Sequence, residues 1–226
     1  MSRIIEYFEQ CALLSLEKQE KFDRLTGEHF AEFDLDAGIL KIDNDLALPF
    51  QVLGTQSDNT LTWLWAWSEE HADVQPDQLT AARKLKEWGS KNGIEEFCMP
   101  EVDIERADGM MISLIAAEVC NASCYYRDAY EGGAVFLLLS GAGIDRQPTF
   151  ELSGFLRSFT ELASRYDLNH RKTLLSYLRA KGLPFVEDGV VITGKLGSGE
   201  EIRMEFDASG RIDSLNGGSI SVQERS

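Results

Sequence analysis

The sequence predicts an α+β fold: an antiparallel sheet packed with helices, followed by a basic helix and a small antiparallel β-meander. Two patterns predict it. Apolar residues recur at helical spacing in several long stretches and at alternate positions in the short stretches between them. Compact turn signals join successive strand-like stretches, which makes their pairing antiparallel.

The first 24 residues read as a helix, with Ile5, Phe8, Ala12 and Leu16 on one face and Gly27 at its exit. From Glu28 the period changes to two, and His29, Ala31, Phe33 and Leu35 alternate with Phe30, Glu32, Asp34 and Asp36. Asp36-Ala37-Gly38 supplies a turn, and 39–43 the return strand. Strands follow at 48–56 and 61–68, joined at Ser57-Asp58-Asn59-Thr60. A helix is predicted over 78–91, entered after Pro76-Asp77 and stopped near Asn92-Gly93. Another covers 104–119, with Ala107, Met111, Leu114 and Glu118 on successive turns. Residues 123–129 and 134–140 form a strand pair around Glu131-Gly132-Gly133. The clearest apolar stripe runs through Leu152, Phe155, Leu156, Phe159, Leu162, Ala163 and Tyr166, with Thr149 placed to cap the helix. A basic helix over 170–181 stops at Gly182, with Pro184 beyond it. Strands at 183–186, 190–195, 201–206 and 211–215 complete the meander. Charge balance and element pattern both change near residue 168. The domains expected are therefore residues 1–167, acidic, and residues 168–226, the basic helix with the meander.

Lys and Arg number 22 against 38 Asp and Glu, a formal net charge of −16. Residues 28–77 hold eleven carboxylates and a single Lys, Lys41, a net of −10. Six basic residues between Arg157 and Lys181 face only Glu161 and Asp167. Such a balance argues against nucleic acid, whose affinity rests on Lys and Arg, and against anionic lipid. No apolar run approaches the ~20 residues needed to span a bilayer. The N-terminus turns acidic at Glu6 without a signal-peptide core, so a cytoplasmic protein is expected.

Chemistry-bearing motifs are sparse. Cys120 and Cys124 lie four apart, not in a C-x₂-C hook, and Cys11, Cys98 and the histidines His29, His71 and His170 are scattered. No zinc, disulfide or other cofactor is expected, and the thiols read as small buried hydrophobes. His71 reads as an exposed residue of an acidic loop, and His29 as packed. Asp34-x-Asp36 and Asp43-x-Asp45 fail the calcium-loop register, because position five is Gly38 in one and Ala47 in the other. The glycines of 194–199 lie between strands, which makes a hairpin and not a phosphate loop. No nucleophile or metalloprotease motif occurs.

Two features remain. Trp63, Trp65 and Trp67 share one face of a strand, either as core or as an aromatic platform in a groove. Glu28, Glu32, Asp34 and Asp36 share the parity opposite His29, Ala31, Phe33 and Leu35. They form either a solvated face or an acidic recognition surface.

Leu53-Gly54-Thr55-Gln56-Ser57, followed by Thr62-Trp63-Leu64-Trp65-Ala66-Trp67, resembles an uncharacterised bacterial domain family with an L-G-T-x-S … W-x-W-A-W signature. Phe33-Asp34-Leu35-Asp36-Ala37-Gly38 and Leu85-Lys86-Glu87-Trp88-Gly89 look like the same family, and the likeness covers about residues 20–165. It implies an α+β domain and supplies no catalytic residues to carry over, with 168–226 as an appended module. The order of elements is also similar to type III secretion chaperones at fold level, and the acidic balance to immunity proteins. The expectation is a non-enzymatic module binding a basic protein partner through Glu28, Glu32, Asp34 and Asp36. The alternative is an enzyme or small-molecule binder with a pocket beside the Trp63–Trp67 strand.

Overall fold

The computed structural model describes residues 2–43, 46–69 and 74–218. His71 and Asp45 lie outside the described residues. Contacts group the chain into two units, Met1–Phe8 with Lys21–Gln147, and Glu9–Glu20 with Pro148–Ser226. The first helix, α1 (Arg3–Thr26), contributes to both.

In the first unit, strands β1 (Ala31–Asp34), β2 (Ile39–Ile42), β3 (Leu46–Ser57), β4 (Thr62–Trp65) and β5 (Glu101–Asp103) pair in that order. Strand β7 (Gly133–Leu139) pairs with β3 and carries β6 (Cys124–Tyr130). All pairings are antiparallel. β3 is the shared strand. Residues 46–49 of it pair with β2, 54–57 with β4, and 50–57 with β7 across a bulge at Leu53. Gly54 follows the bulge because a Cβ there would lie 2.3 Å from the Leu64 carbonyl oxygen and 2.6 Å from the Trp63 ring. Helices α2 (Thr80–Asn92), α3 (Gly109–Val119) and the one-turn α4 (Ala142–Asp145) belong to this unit, with a short 310 turn at Glu95–Phe97.

Trp63 and Trp65 are core residues, both 0% exposed. They meet edge to face at 5.5 Å, Trp63 packs on Phe136 at 5.3 Å and Trp65 on Phe97 at 5.2 Å. Trp65 Nε1 donates to the Glu96 carbonyl at 2.9 Å, so its polar edge is satisfied.

In the second unit, β8 (Phe185–Asp188), β9 (Val191–Lys195), β10 (Glu201–Phe206) and β11 (Ile212–Gly218) form the expected meander. Ile192, Ile202, Met204 and Phe206 are buried, as alternation requires of a sheet with one covered face. The helices of this unit, α5 (Leu152–Arg165) and α6 (His170–Ala180), supply Phe155, Phe159, Leu174, Tyr177 and Leu178 to the core. Glu9 and Glu17 of α1 are buried here too. Glu9 takes the Lys172 ammonium at 2.7 Å and the Asn169 N–H at 2.8 Å. Glu17 takes Lys181 at 2.8 Å and the Tyr177 hydroxyl at 2.7 Å.

Three local expectations need correction. α3 starts at Gly109, not at 104, because Asp108 caps it by accepting from Met111 N–H at 2.8 Å. Residues 101–103, where no element was expected, form β5, which pairs with β4. Thr149 does not cap α5. Its N-cap is Glu151, and the Leu152 N–H is met instead by Glu200 Oε2 at 2.7 Å.

Trp65→Ala removes a fully buried ring and is expected to destabilise by about 3–5 kcal/mol, read from chemical unfolding. An unchanged midpoint would contradict its place in the core. We propose that residues 1–167 fold without the rest of the chain. A fragment of 1–167 is expected to unfold cooperatively, with a lowered midpoint because it lacks the Lys172 and Lys181 partners of Glu9 and Glu17. A fragment without an unfolding transition would contradict a boundary near 168.

Candidate functional site

β1 is a terminal strand of its sheet. Its odd residues face inward. Phe33 packs on Phe50 at 6.3 Å and on Tyr126 at 6.0 Å, and the His29 ring meets Phe22 at 5.9 Å and Tyr126 at 6.0 Å. His29 Nδ1 lies 2.9 Å from the Gly27 carbonyl oxygen, so this histidine is a packed residue. Burial, with the Asp128 charge, pushes the Tyr126 phenol above its usual range.

The even residues face solvent. Glu28, Glu32 and Asp36 are exposed, and their side chains make no hydrogen bond or ion pair among the described residues. Asp34 is half-buried and differs from them. Its Oδ1 accepts from Ala37 N–H at 3.0 Å, closing the turn, and its Oδ2 lies 3.6 Å from Lys41 Nζ. Alternation therefore places Glu32 and Asp34 on one strand face, with Glu28 before the strand and Asp36 in the turn after it. Two apolar residues sit among these carboxylates. Phe30 is 75% exposed and Leu35 is 64% exposed. Leu35 leaves the inward parity because residues 35–38 are turn, where strand alternation no longer holds. Gln78 Nε2 donates to the Leu35 carbonyl and pins that turn.

The tryptophan row divides. Trp63 and Trp65 are core, while Trp67 is half-buried beside a cleft of about 560 Å³. Leu64, Ser68, Lys86, Pro100 and Glu101 also line that cleft, and the Lys86 ammonium sits 3.7 Å from the centre of the Trp67 ring. One indole face is thus covered by a cation–π contact. The three rings form no common platform. A second cleft, of about 420 Å³, is lined in part by Phe50, Lys84 and Cys120. Burial pushes the Cys120 thiol up despite Lys84, which keeps it protonated and a weak nucleophile. Among the described residues no group of three His, Cys, Asp or Glu side chains is placed to hold a metal, and no helix is long and apolar enough to cross a membrane.

The second unit holds buried titratable groups that sequence reasoning did not single out. His170, the first residue of α6, is 5% exposed. Its Nδ1 accepts from Ile212 N–H at 3.0 Å, and its ring meets Phe159 at 6.1 Å. Burial and the Arg211 charge lower its pKa, against Asp167, Asp207 and Glu9. Tyr177 is pushed above the usual phenol range by burial and by the Glu17 carboxylate it donates to.

Comparison with known proteins places the chain in a family. Residues 5–142 match the model of the family of unknown function DUF6882, more than half of the chain, and the chain belongs to that family. The matched stretch begins within α1 and ends ahead of α5. No curated protein and no solved structure matches it.

The His170 geometry makes stability depend on pH. Its folded-state pKa lies below the unfolded value of about 6.5, so the stabilisation is complete above that value. It is lost as pH falls towards the folded-state value, because the proton must displace the Ile212 N–H from Nδ1. The unfolding midpoint is expected to drop as pH falls below about 6.5, and His170→Asn to flatten that drop. Equal slopes in the two proteins would remove His170 as the cause.

Proposed function

We propose that this chain is a non-enzymatic recognition module of the bacterial cytoplasm, of immunity or chaperone type, which presents the β1 rim to a basic protein partner. One observation carries the reading. Glu28, Glu32 and Asp36 stand exposed without partners among the described residues, around an exposed Phe30 and Leu35. Like charges so placed repel one another and contribute little to the fold. A large apolar side chain in water beside them offers the desolvated contact that an interface centre needs. Charge then steers the encounter, and the apolar pair holds the complex.

A second reading is supported by Ser68. Its hydroxyl is buried without a hydrogen-bond partner among the described residues, and it lines the cleft beside Trp67. A small polar ligand held there would satisfy it and change the Trp67 fluorescence.

The triple variant Glu28→Gln, Glu32→Gln, Asp36→Asn spares Asp34, which the turn uses. Its unfolding free energy should stay within about 0.5 kcal/mol of the wild type. Immobilised wild-type protein should retain from a bacterial lysate a basic protein that salt releases as the screening length shrinks below ~8–10 Å. The variant should lose that protein. Retention of the same proteins with the same salt sensitivity would overturn the reading.

A further inference from the structure

We infer that the partner binds as a strand, adding a basic extended segment to the open edge of β1. This rests on the recognition reading above and gives it a mode and a partner chemistry.

The edge follows from the hydrogen-bond register. Asp43 N–H donates to the Phe30 carbonyl at 2.9 Å, which makes Phe30 and Asp43 a hydrogen-bonded pair. The same ladder sets Ala31 opposite Ile42, Glu32 opposite Lys41, Phe33 opposite Leu40 and Asp34 opposite Ile39. Bonded and non-bonded pairs alternate in an antiparallel ladder. Glu32 and Asp34 therefore turn their backbone groups to β2, and Ala31 and Phe33 turn theirs away from it. Neither of these two residues has a backbone hydrogen-bond partner among the described residues. Each offers an N–H and a C=O to an incoming chain, the main-chain half of strand addition.

Side chains choose the occupant. A second copy of this chain would bring its own Glu32 and Asp34 beside these, and like charges on facing strands destabilise a pair. A basic segment reverses that sign. Its Lys or Arg side chains would lie on the face of Glu32, within reach of Glu28 and Asp36. Its alternate, apolar side chains would lie on the inward face with Ala31 and Phe33. Exposed Phe30, on the face of Glu32, and Leu35, in the turn, flank the strand at its two ends and offer apolar contact there. Carboxylates along an edge also keep other edges from pairing with it, and a purely protective role is the competing outcome.

The test uses a synthetic octapeptide of alternating valine and lysine, capped at both ends, with a valine–glutamate octapeptide as control. On titration into the full chain, the lysine peptide should slow amide exchange at Ala31 and Phe33 by roughly tenfold or more, and leave Glu32 unchanged. Ala31→Pro removes only an N–H that points away from β2, a position where edge strands accept proline. This variant should keep the wild-type unfolding midpoint and weaken peptide binding by roughly tenfold. Peptide binding without protection of Ala31 and Phe33, or equal binding by Ala31→Pro, would overturn strand addition while the charge reading stands. Failure of the lysine peptide to bind better than the glutamate peptide would also overturn it, and would leave the carboxylates as protection of the edge. The charge reading itself falls only if the triple neutralised variant keeps the cellular partner.

Discussion

Strand β3 has to pair with β2 along its first residues and with β4 and β7 along its last, and the bulge at Leu53 is what lets one strand serve all three. The extra residue changes the direction of the backbone groups, so the Leu53 carbonyl accepts from Ala66 N–H at 2.9 Å, while Val52 N–H goes to Gln78 at 2.9 Å. Gly54 next to it admits the Trp63 ring flat against the strand. The tryptophan core, the path into α2 and the position of the β1–β2 hairpin are consequences of this junction. So is the open edge, because β2 continues to β1 and, among the described residues, the ladder stops there.

Charge in this chain falls into two sets. The basic residues of 157–181 are engaged within their own unit: Lys172 on Glu9, Lys181 on Glu17, Arg157 on Glu20, and Arg171 and Arg179 on Glu187. Taking Glu9 and Glu17 out of water is offset only because each meets both a cation and a further donor. Gly154 allows this closeness for Glu20, since a Cβ there would sit 2.1 Å from Glu20 Oε1. Among the described residues, the one cation paired with the carboxylates around β1 is Lys41, which lies 3.6 Å from Asp34. Excess negative charge is left at the rim of β1, and that is where a partner of opposite sign would be felt.

Much of the fold was legible because its signals are local. Alternation from His29 to Phe33 found β1, the 152–166 stripe found α5, and the glycine-marked turns found the meander. What stayed hidden depends on distant partners. β5 has only three residues and exists because Leu64 and Trp63 pair with it. Glu200 reaches Leu152 from 48 residues away and displaces the expected Thr149 cap. The burial of Glu9 and Glu17 leaves no trace in the periodicity of α1, where a charged residue reads as solvated. Of the site, the common face of Glu32 and Asp34 was readable. The exposure of Leu35 and the role of Asp34 in its turn were not, since both depend on where the strand ends.

The central claim is that the outer edge of β1 is unpaired in the free protein, and residue-resolved amide exchange tests it most directly. Glu32 N–H, bonded to β2, should exchange slowly, while Ala31 and Phe33 N–H should exchange at rates close to those of exposed amides. Equal and strong protection of Ala31, Glu32 and Phe33 would mean that the edge is already covered, and would contradict it.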